Sequence, residues 1–224
     1  WMVSDKVELV GALRYDYFSD GSQSNLTPKL NLRYRPTSRL TLRAGYGMGF
    51  RAPTLKEKYY NFDMAGIWIV EGNKDLKSEL SHNFNLSAEY IHGHYDFTAS
   101  VYYNFVHNKL ATAAPYFKTA TDKLPYLPYA NLDNYSVCGG EIGAQARWDN
   151  GLSARITYAY TKEHLPKDKE GNTINNQYIP SREHALNVRA DYDHRFSKNY
   201  ALSLGINGRV MSGTSNVEYK NYYD

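Results

Sequence analysis

The chain has 224 residues, 26 basic against 23 acidic side chains, a net charge of +3 and a single cysteine, Cys138. A balance this close to neutral carries no electrostatic footprint for nucleic acid, and a lone cysteine excludes an internal disulfide and reads as a small apolar strand residue. No stretch approaches the roughly 18 consecutive apolar residues of a membrane helix, and the mean hydropathy is −0.63.

Taken in chain order, the sequence alternates rather than clusters its apolar residues. Residues 7–18 read as a strand in which Val10 and Ala12 disturb the parity, so a bulge or a shifted boundary is expected there. A polar loop follows at 19–25. Leu30, Leu32 and Tyr34 then alternate with Asn31, Arg33 and Arg35, up to a tight Pro36-Thr37-Ser38 turn. The clearest strand is 39–50. Leu40, Leu42, Ala44, Tyr46, Met48 and Phe50 share one side, and Arg39, Thr41, Arg43, Gly45, Gly47 and Gly49 share the other. That apolar side is long enough to cross a bilayer, for which a tilted strand needs about 9–11 residues.

After a long connection at 53–80, Phe84, Leu86, Ala88 and Tyr90 alternate with Asn83, Asn85, Ser87 and Glu89. His92-Gly93-His94 is a turn, and its two histidines read as turn residues rather than metal ligands, since no third ligand is near. Tyr95 to Phe105 alternates again, a second long connection spans 111–133, and the strand at 135–148 has a parity blurred by Glu141 and Gln145. Asp149-Asn150-Gly151 turns into the alternating strand 152–160. A long connection at 165–180, a strand at 186–193, a turn at 197–199 and a strand at 202–207 complete the order.

About nine strands joined by strictly alternating short and long connections are the signature of an up-and-down antiparallel transmembrane β-barrel of the outer-membrane kind. The 22 tyrosines, against 8 phenylalanines and 3 tryptophans, suit interfacial girdles and external loops. Bacterial barrels close with an even strand number, and no export signal opens the chain. A partial barrel is therefore expected: residues 1–224 as one piece of a larger domain, with two free sheet edges.

Two boxes flank the first long connection. Gly49-Phe50-Arg51-Ala52-Pro53-Thr54-Leu55-Lys56-Glu57 and Gly72-Asn73-Lys74-Asp75-Leu76-Lys77-Ser78-Glu79 resemble the paired barrel motifs of TonB-dependent outer-membrane receptors. Phe50, Arg51, Ala52, Pro53, Asn73, Leu76 and Glu79 carry the match. Lys74 and Ser78 stand where the family commonly has proline, which implies a less rigid loop. The resemblance implies a barrel of about 22 strands filled by an N-terminal plug. It implies energised uptake of a scarce nutrient, such as an iron–siderophore, heme or corrinoid, across the outer membrane of a Gram-negative bacterium. The implied partners are the nutrient, the TonB complex reached through the plug, and outer-membrane lipid and lipopolysaccharide. The alternative is a passive porin-type channel.

No cofactor, metal site or enzymatic set is expected: Gly45-x-Gly47-x-Gly49 lacks the third glycine and the helix of a nucleotide loop. Those glycines leave room on the inner face for a bulky neighbour, which the resemblance identifies as the plug. Arg33, Arg35, Arg43, Arg155, Arg189 and Arg209 share the inner parity. They form either a basic stripe for an anionic ligand or ion pairs with Glu89, Asp191, Asp193 and acids of the plug. Glu163-His164 and Arg182-Glu183-His184 read as a solvated ion-pair network or as contacts to lipopolysaccharide. The ligand-contact candidates are the loop aromatics Tyr59, Tyr60, Phe62, Met64, Trp68, Tyr116, Phe117, Tyr126 and Tyr129, with self-packing of the loops as the plainer alternative. Heme receptors of the family often carry a histidine between the boxes. None lies between Arg51 and Leu76, so Tyr59, Tyr60 or Met64 would have to ligate the iron.

Overall fold

The computed structural model describes residues 1–18, 24–113, 115–132, 134–164 and 182–214. Part of the expected 19–25 loop and all of the 165–180 loop lie outside them. In chain order, β1 (Met2–Ser4), β2 (Val7–Asp16), β3 (Asn25–Tyr34) and β4 (Leu40–Arg51) lead to helix α1 (Leu55–Tyr59) and the short strands β5 (Asn61–Met64) and β6 (Trp68–Glu71). Strands β7 (Glu79–His92) and β8 (Tyr95–His107) follow, then the short β9 (Lys109–Thr112) and β10 (Tyr126–Leu132). Strands β11 (Tyr135–Arg147), β12 (Leu152–His164), β13 (His184–Arg195) and β14 (Ala201–Met211) complete the described elements.

Ten of these strands form one antiparallel sheet in the order β1-β2-β3-β4-β7-β8-β11-β12-β13-β14, so each long strand pairs with the next long strand of the chain. The nine long strands match the number read from the sequence, and β1 adds a three-residue rung at one edge. No pairing joins β1 or β2 to β14, and the sheet is open. The turns at 35–39, 93–94, 148–151 and 196–200 lie at one end, and the long connections lie at the other. Gly93 and Gly151 take φ of 57° and 87°, which is why glycine occupies these tight turns.

The register sorts the faces. Leu42 pairs with Ala88, Leu86 with Val101, Ala99 with Ile142, and Tyr158 with Leu186, which makes one continuous apolar face. That face is bare: Leu86 is 58 %, Ile142 61 % and Ile206 73 % exposed. Tyr90, Tyr95, Trp148 and Tyr192 mark its turn end, Tyr160 lies near its loop end, and Tyr46 and Phe84 pair near mid-strand. Arg33 pairs with Arg43, Asn85 with Gly45 and Tyr102, and Arg155 with Arg189 on the opposite, polar face.

Three sequence expectations change. The bulge expected in β2 or β11 is absent, because both strands keep unbroken register along β3, β8 and β12. Val10 and Ala12 are simply small apolar residues on the polar face, and Glu141 and Gln145 already lie there. The register shift falls instead between Met2 and Ser4 of β1. Second, the space beside two of the three β4 glycines is already filled. A Cβ at Gly45 would sit 2.7 Å from the Asn85 amide and 2.9 Å from Asn31, and one at Gly49 would collide with Ser81; only Gly47 stays open. Third, the stretches 53–80 and 111–133, read from the sequence only as long connections, carry short strands. Their strands form a second sheet in the order β5-β6-β10-β9.

Candidate functional site: a cap welded from two loops

The buried apolar residues of the described chain sit almost entirely in this second sheet and its supports: Val70, Leu76, Leu110, Leu127 and Leu132, with Ala146 the one exception. The small sheet has a dry core of its own, whereas the large sheet has none beneath its apolar face.

The first box starts the cap. Thr54 ends the extended segment after β4 and caps α1, accepting from the Glu57 backbone N–H at 3.2 Å, while the Glu57 carboxylate accepts from the Thr54 N–H at 2.7 Å. The same carboxylate accepts from Arg51 at 2.7 and 3.3 Å and from the Thr54 hydroxyl at 2.9 Å. Glu57 is only 8 % exposed, so this clustering of donors is what permits a buried carboxylate. Pro53 is buried beside it.

The second box then returns onto the helix. Gly72 N–H donates to the Tyr60 carbonyl at 2.7 Å and Asn73 N–H to the Glu57 carbonyl at 2.8 Å. A Cβ at Gly72 would lie 2.8–2.9 Å from backbone atoms of Lys58, Tyr59 and Tyr60, so only glycine fits. Asn73 accepts from the Asp75 N–H at 2.9 Å, which fixes the turn around Lys74. Leu76 is buried, and Ser78 is 2 % exposed with a hydroxyl that has no partner among the described residues. Glu79 accepts from the Leu110 N–H at 3.0 Å, across to the other loop.

The loop aromatics divide by register. Phe62 pairs with Val70 and Met64 with Trp68, and Val70 pairs with Leu127, so these side chains and Tyr129 share one face of the small sheet. Tyr126 pairs with Ile69 and bridges to Tyr116, which puts both tyrosines on the opposite face. The nine candidates therefore do not converge on one point. Lys56 lies 4.7 Å from the Phe62 ring centre, and Lys74 5.9 Å from that of Tyr59. Trp68 Nε1–H donates to the Met64 sulfur at 3.1 Å, so that sulfur is already engaged. Tyr60 and Phe117 are 59 % and 50 % exposed.

On the other face a charged cluster has formed. Tyr116 O–H donates to Glu71 at 2.7 Å, Lys118 donates to the same carboxylate at 2.6 Å, and the ammonium lies 4.0 Å from the Tyr126 ring centre. The bond from Lys118, followed by that from Tyr116, holds the Glu71 carboxyl below its usual range. Its bond to Glu71 pushes the Tyr116 phenol up, and the same carboxylate raises Lys118. Lys109, whose ammonium lies 3.5 Å from the Tyr135 ring centre at the base of the cap, has its pKa pushed down by burial.

The arginines resolve individually. Arg43 pairs with Glu89 at 3.1 Å, Arg33 with Glu8 at 2.5 Å and Arg189 with Asp191 at 2.7 Å, and Arg155 donates to Gln145. Arg35 and Arg209 make no ion pair among the described residues. Half of the stripe, Arg33, Arg43 and Arg189, is thus neutralised by acids on its own or the neighbouring strand. Glu183 pairs with Lys162, and His184 shares a hydrogen bond of 2.7 Å with Tyr158. His94 stands 3.7 Å from Asp149 in the turns. Among the described residues, no three His, Cys, Asp or Glu side chains gather as a metal site. The sequence reading missed Asn131, whose amide bonds to the first loop. No local pattern marks it, because its partners are 54 and 23 residues away.

An open, up-and-down sheet with one bare apolar face, a polar inner face and aromatic-bearing loops at one end is the architecture of an outer-membrane barrel segment. The chain belongs to the TonB-dependent receptor-like β-barrel family, whose model matches residues 1–224. It is 33 % identical over 153 residues to the hemoglobin-haptoglobin-binding protein A of Haemophilus influenzae, covering 62 % of this chain and 14 % of that protein. To the vitamin B12 transporter BtuB of Photobacterium profundum it is 32 % identical over 134 residues, covering 60 % and 20 % respectively. The siderophore receptor PirA from Pseudomonas aeruginosa superposes with a TM-score of 0.74 at 20 % identity, over 95 % of this chain and 38 % of that one. The chain thus spans well under half the length of these relatives.

Proposed function

We propose that this chain is the ligand-presenting part of the barrel of a TonB-dependent receptor in a Gram-negative outer membrane. The receptor imports a scarce nutrient of the iron–siderophore, heme or corrinoid kind. The observation that carries this reading is the pairing of a bare apolar strand face with a separately cored, aromatic-rich cap on the loop end alone. A receptor needs both: a wall that lipid can cover, and an external surface stiff enough to select a dilute ligand. Membership of the family and the names of its relatives, which include hemoglobin-haptoglobin, vitamin B12 and siderophore receptors, support the nutrient range. The partners in this reading are the nutrient at the cap, the plug against the polar face, TonB through the plug, and lipid with lipopolysaccharide around the apolar face. The contacts to the nutrient come from one of the two faces of the cap: Phe62, Trp68 and Tyr129 with the neighbouring Tyr59 and Tyr60, or Tyr116 and Tyr126 with the neighbouring Phe117.

The test is uptake of labelled ferric enterobactin, hemin and cyanocobalamin by cells carrying the full-length receptor, with and without TonB. Saturable uptake of one of them that vanishes without TonB or after trimming 61–71 is the expected result. Uptake that rises linearly with concentration and ignores TonB would identify a passive channel.

A further inference from the structure

We propose that Asn131 is a positioning residue that makes the two long loops a single cooperative ligand-binding unit. The amide of Asn131, near the end of β10, treats Lys77 of the other loop as a ladder partner. It accepts from the Lys77 N–H at 2.7 Å and donates to the Lys77 carbonyl at 2.8 Å. Its second N–H goes to the Asn108 carbonyl at 2.9 Å. Asn108 holds a left-handed φ of 52° at the junction of β8 and β9, a conformation that costs free energy unless its surroundings fix it. One side chain therefore closes the base of its own loop and clamps the neighbouring loop. Only this amide orientation works, because a flipped one would set N–H against N–H and oxygen against two carbonyls.

The clamp is reinforced by contacts that all cross between loops. Asn73 donates to the Tyr129 carbonyl at 3.1 Å, Ile69 N–H donates to the Pro125 carbonyl at 2.9 Å, and β6 runs in register with β10. The parallel β6–β10 pair has no turn to hold it, so it forms only when both loops are placed. The buried Val70 and Leu127 meet across that same pair. The first loop supplies Val70 and Leu76 to the buried residues of the cap, and the second supplies Leu110, Leu127 and Leu132. Opening one loop exposes the apolar side chains of the other, so the cap opens as one body. Aromatics on both loops are then presented to a ligand by a single rigid frame.

This inference rests on the reading that the cap aromatics touch the nutrient, but its first test does not. Hydrogen exchange on the full-length receptor compares the native protein with Asn131→Ala and with Asp122→Ala. The latter breaks only the local turn in which Asp122 accepts from Thr119. Asn131→Ala is expected to deprotect 61–71 and 126–132 together while β7 and β8 keep their protection. Asp122→Ala should leave 61–71 unchanged. Deprotection of 126–132 alone would overturn the proposal. The second test measures affinity for ferric enterobactin, hemin and cyanocobalamin. Asn131→Ala should weaken whichever binds by about tenfold or more with assembly of the barrel intact, as should Asn131→Asp, which loses both donors. A Val70→Cys/Leu127→Cys disulfide in the Asn131→Ala background should restore binding, and failure of that rescue argues against positioning. If the native receptor binds none of the three, the nutrient reading fails, and the exchange result alone decides the coupling.

Discussion

At the scale of single residues, the family boxes are structural joints, and their chemistry explains the residue types. Glu57 satisfies a helix start, an arginine and a hydroxyl with one buried carboxylate. Glu57→Ala should cost about 2–3 kcal/mol of local stability, combining a lost cap with lost charge-assisted bonds. Faster amide exchange over 54–60, with β12–β14 unaffected, would show it. Glycine offers a sharper contrast. Gly72→Ala puts a Cβ against backbone that cannot yield, whereas Gly11→Ala meets nothing within 4 Å. Thermal unfolding should drop clearly for the first and stay within error for the second. The Glu71 cluster adds a pH dependence whose sign follows from its shifts. Glu71 sits below its ordinary 4.5, so its contribution is complete above that value and fades as pH falls through its depressed pKa. Tyr116 and Lys118 sit above their ordinary 10.0 and 10.5, so theirs is complete below those values and fades as pH rises through the raised ones. Protection of the Tyr116 N–H, bonded to the Tyr126 carbonyl, should therefore hold between these limits and weaken beyond either.

At the scale of elements, the long strands were legible and the cap was not. A period of two over 10 to 14 residues leaves no ambiguity about faces, and the turn chemistry of Pro36-Thr37-Ser38 and Asp149-Asn150-Gly151 set the register. In β2 and β11 the parity was sound but its chemical contrast was weak, since Gly11, Gly140, Ala144 and Ala146 put small residues on the apolar face. Strands β5, β6 and β9 have four residues each, too few for a period to declare itself. Their partners are also distant: Tyr126 pairs with Ile69, and nothing local announces a parallel pair. The aromatic richness of the loops was visible in the sequence, while the division of those aromatics between two faces came only with the register. Depth can be tested on the long strands. Leu86 pairs mid-sheet with Ala44 and Val101, whereas Leu42 lies two positions from the start of β4 at the turn end. Leu86→Arg should cost about 2–4 kcal/mol and Leu42→Arg distinctly less, as expected for a charge at the midplane against one near an interface. Denaturant unfolding of the receptor from lipid vesicles measures both.

At the scale of the whole molecule, two kinds of burial divide the work. The cap is held together like a small soluble domain, by Val70, Leu76, Leu110, Leu127 and Leu132 packed away from water. The main sheet instead leaves Leu86, Val101, Ile156 and Leu204 bare, at 58, 55, 47 and 58 % exposure, and a surface patch that large calls for a cover. If lipid is that cover, accessibility must alternate residue by residue along each strand, because neighbouring side chains point into different solvents. Single cysteines for spin labelling, with Cys138 replaced by alanine, can be placed at Asn85, Leu86, Ser100, Val101, Arg155, Ile156, Ser203 and Leu204 of the full-length receptor in vesicles. Labels at 86, 101, 156 and 204 should be relaxed by dissolved oxygen and shielded from a water-soluble nickel complex. Labels at 85, 100, 155 and 203 should be shielded from oxygen by the polar face and whatever fills it. The alternation should hold on β7, β8, β12 and β14 alike, since one register runs through all of them. A sheet whose apolar face packs against another protein layer would give oxygen-poor labels at both parities, and that outcome would remove the bilayer from this account.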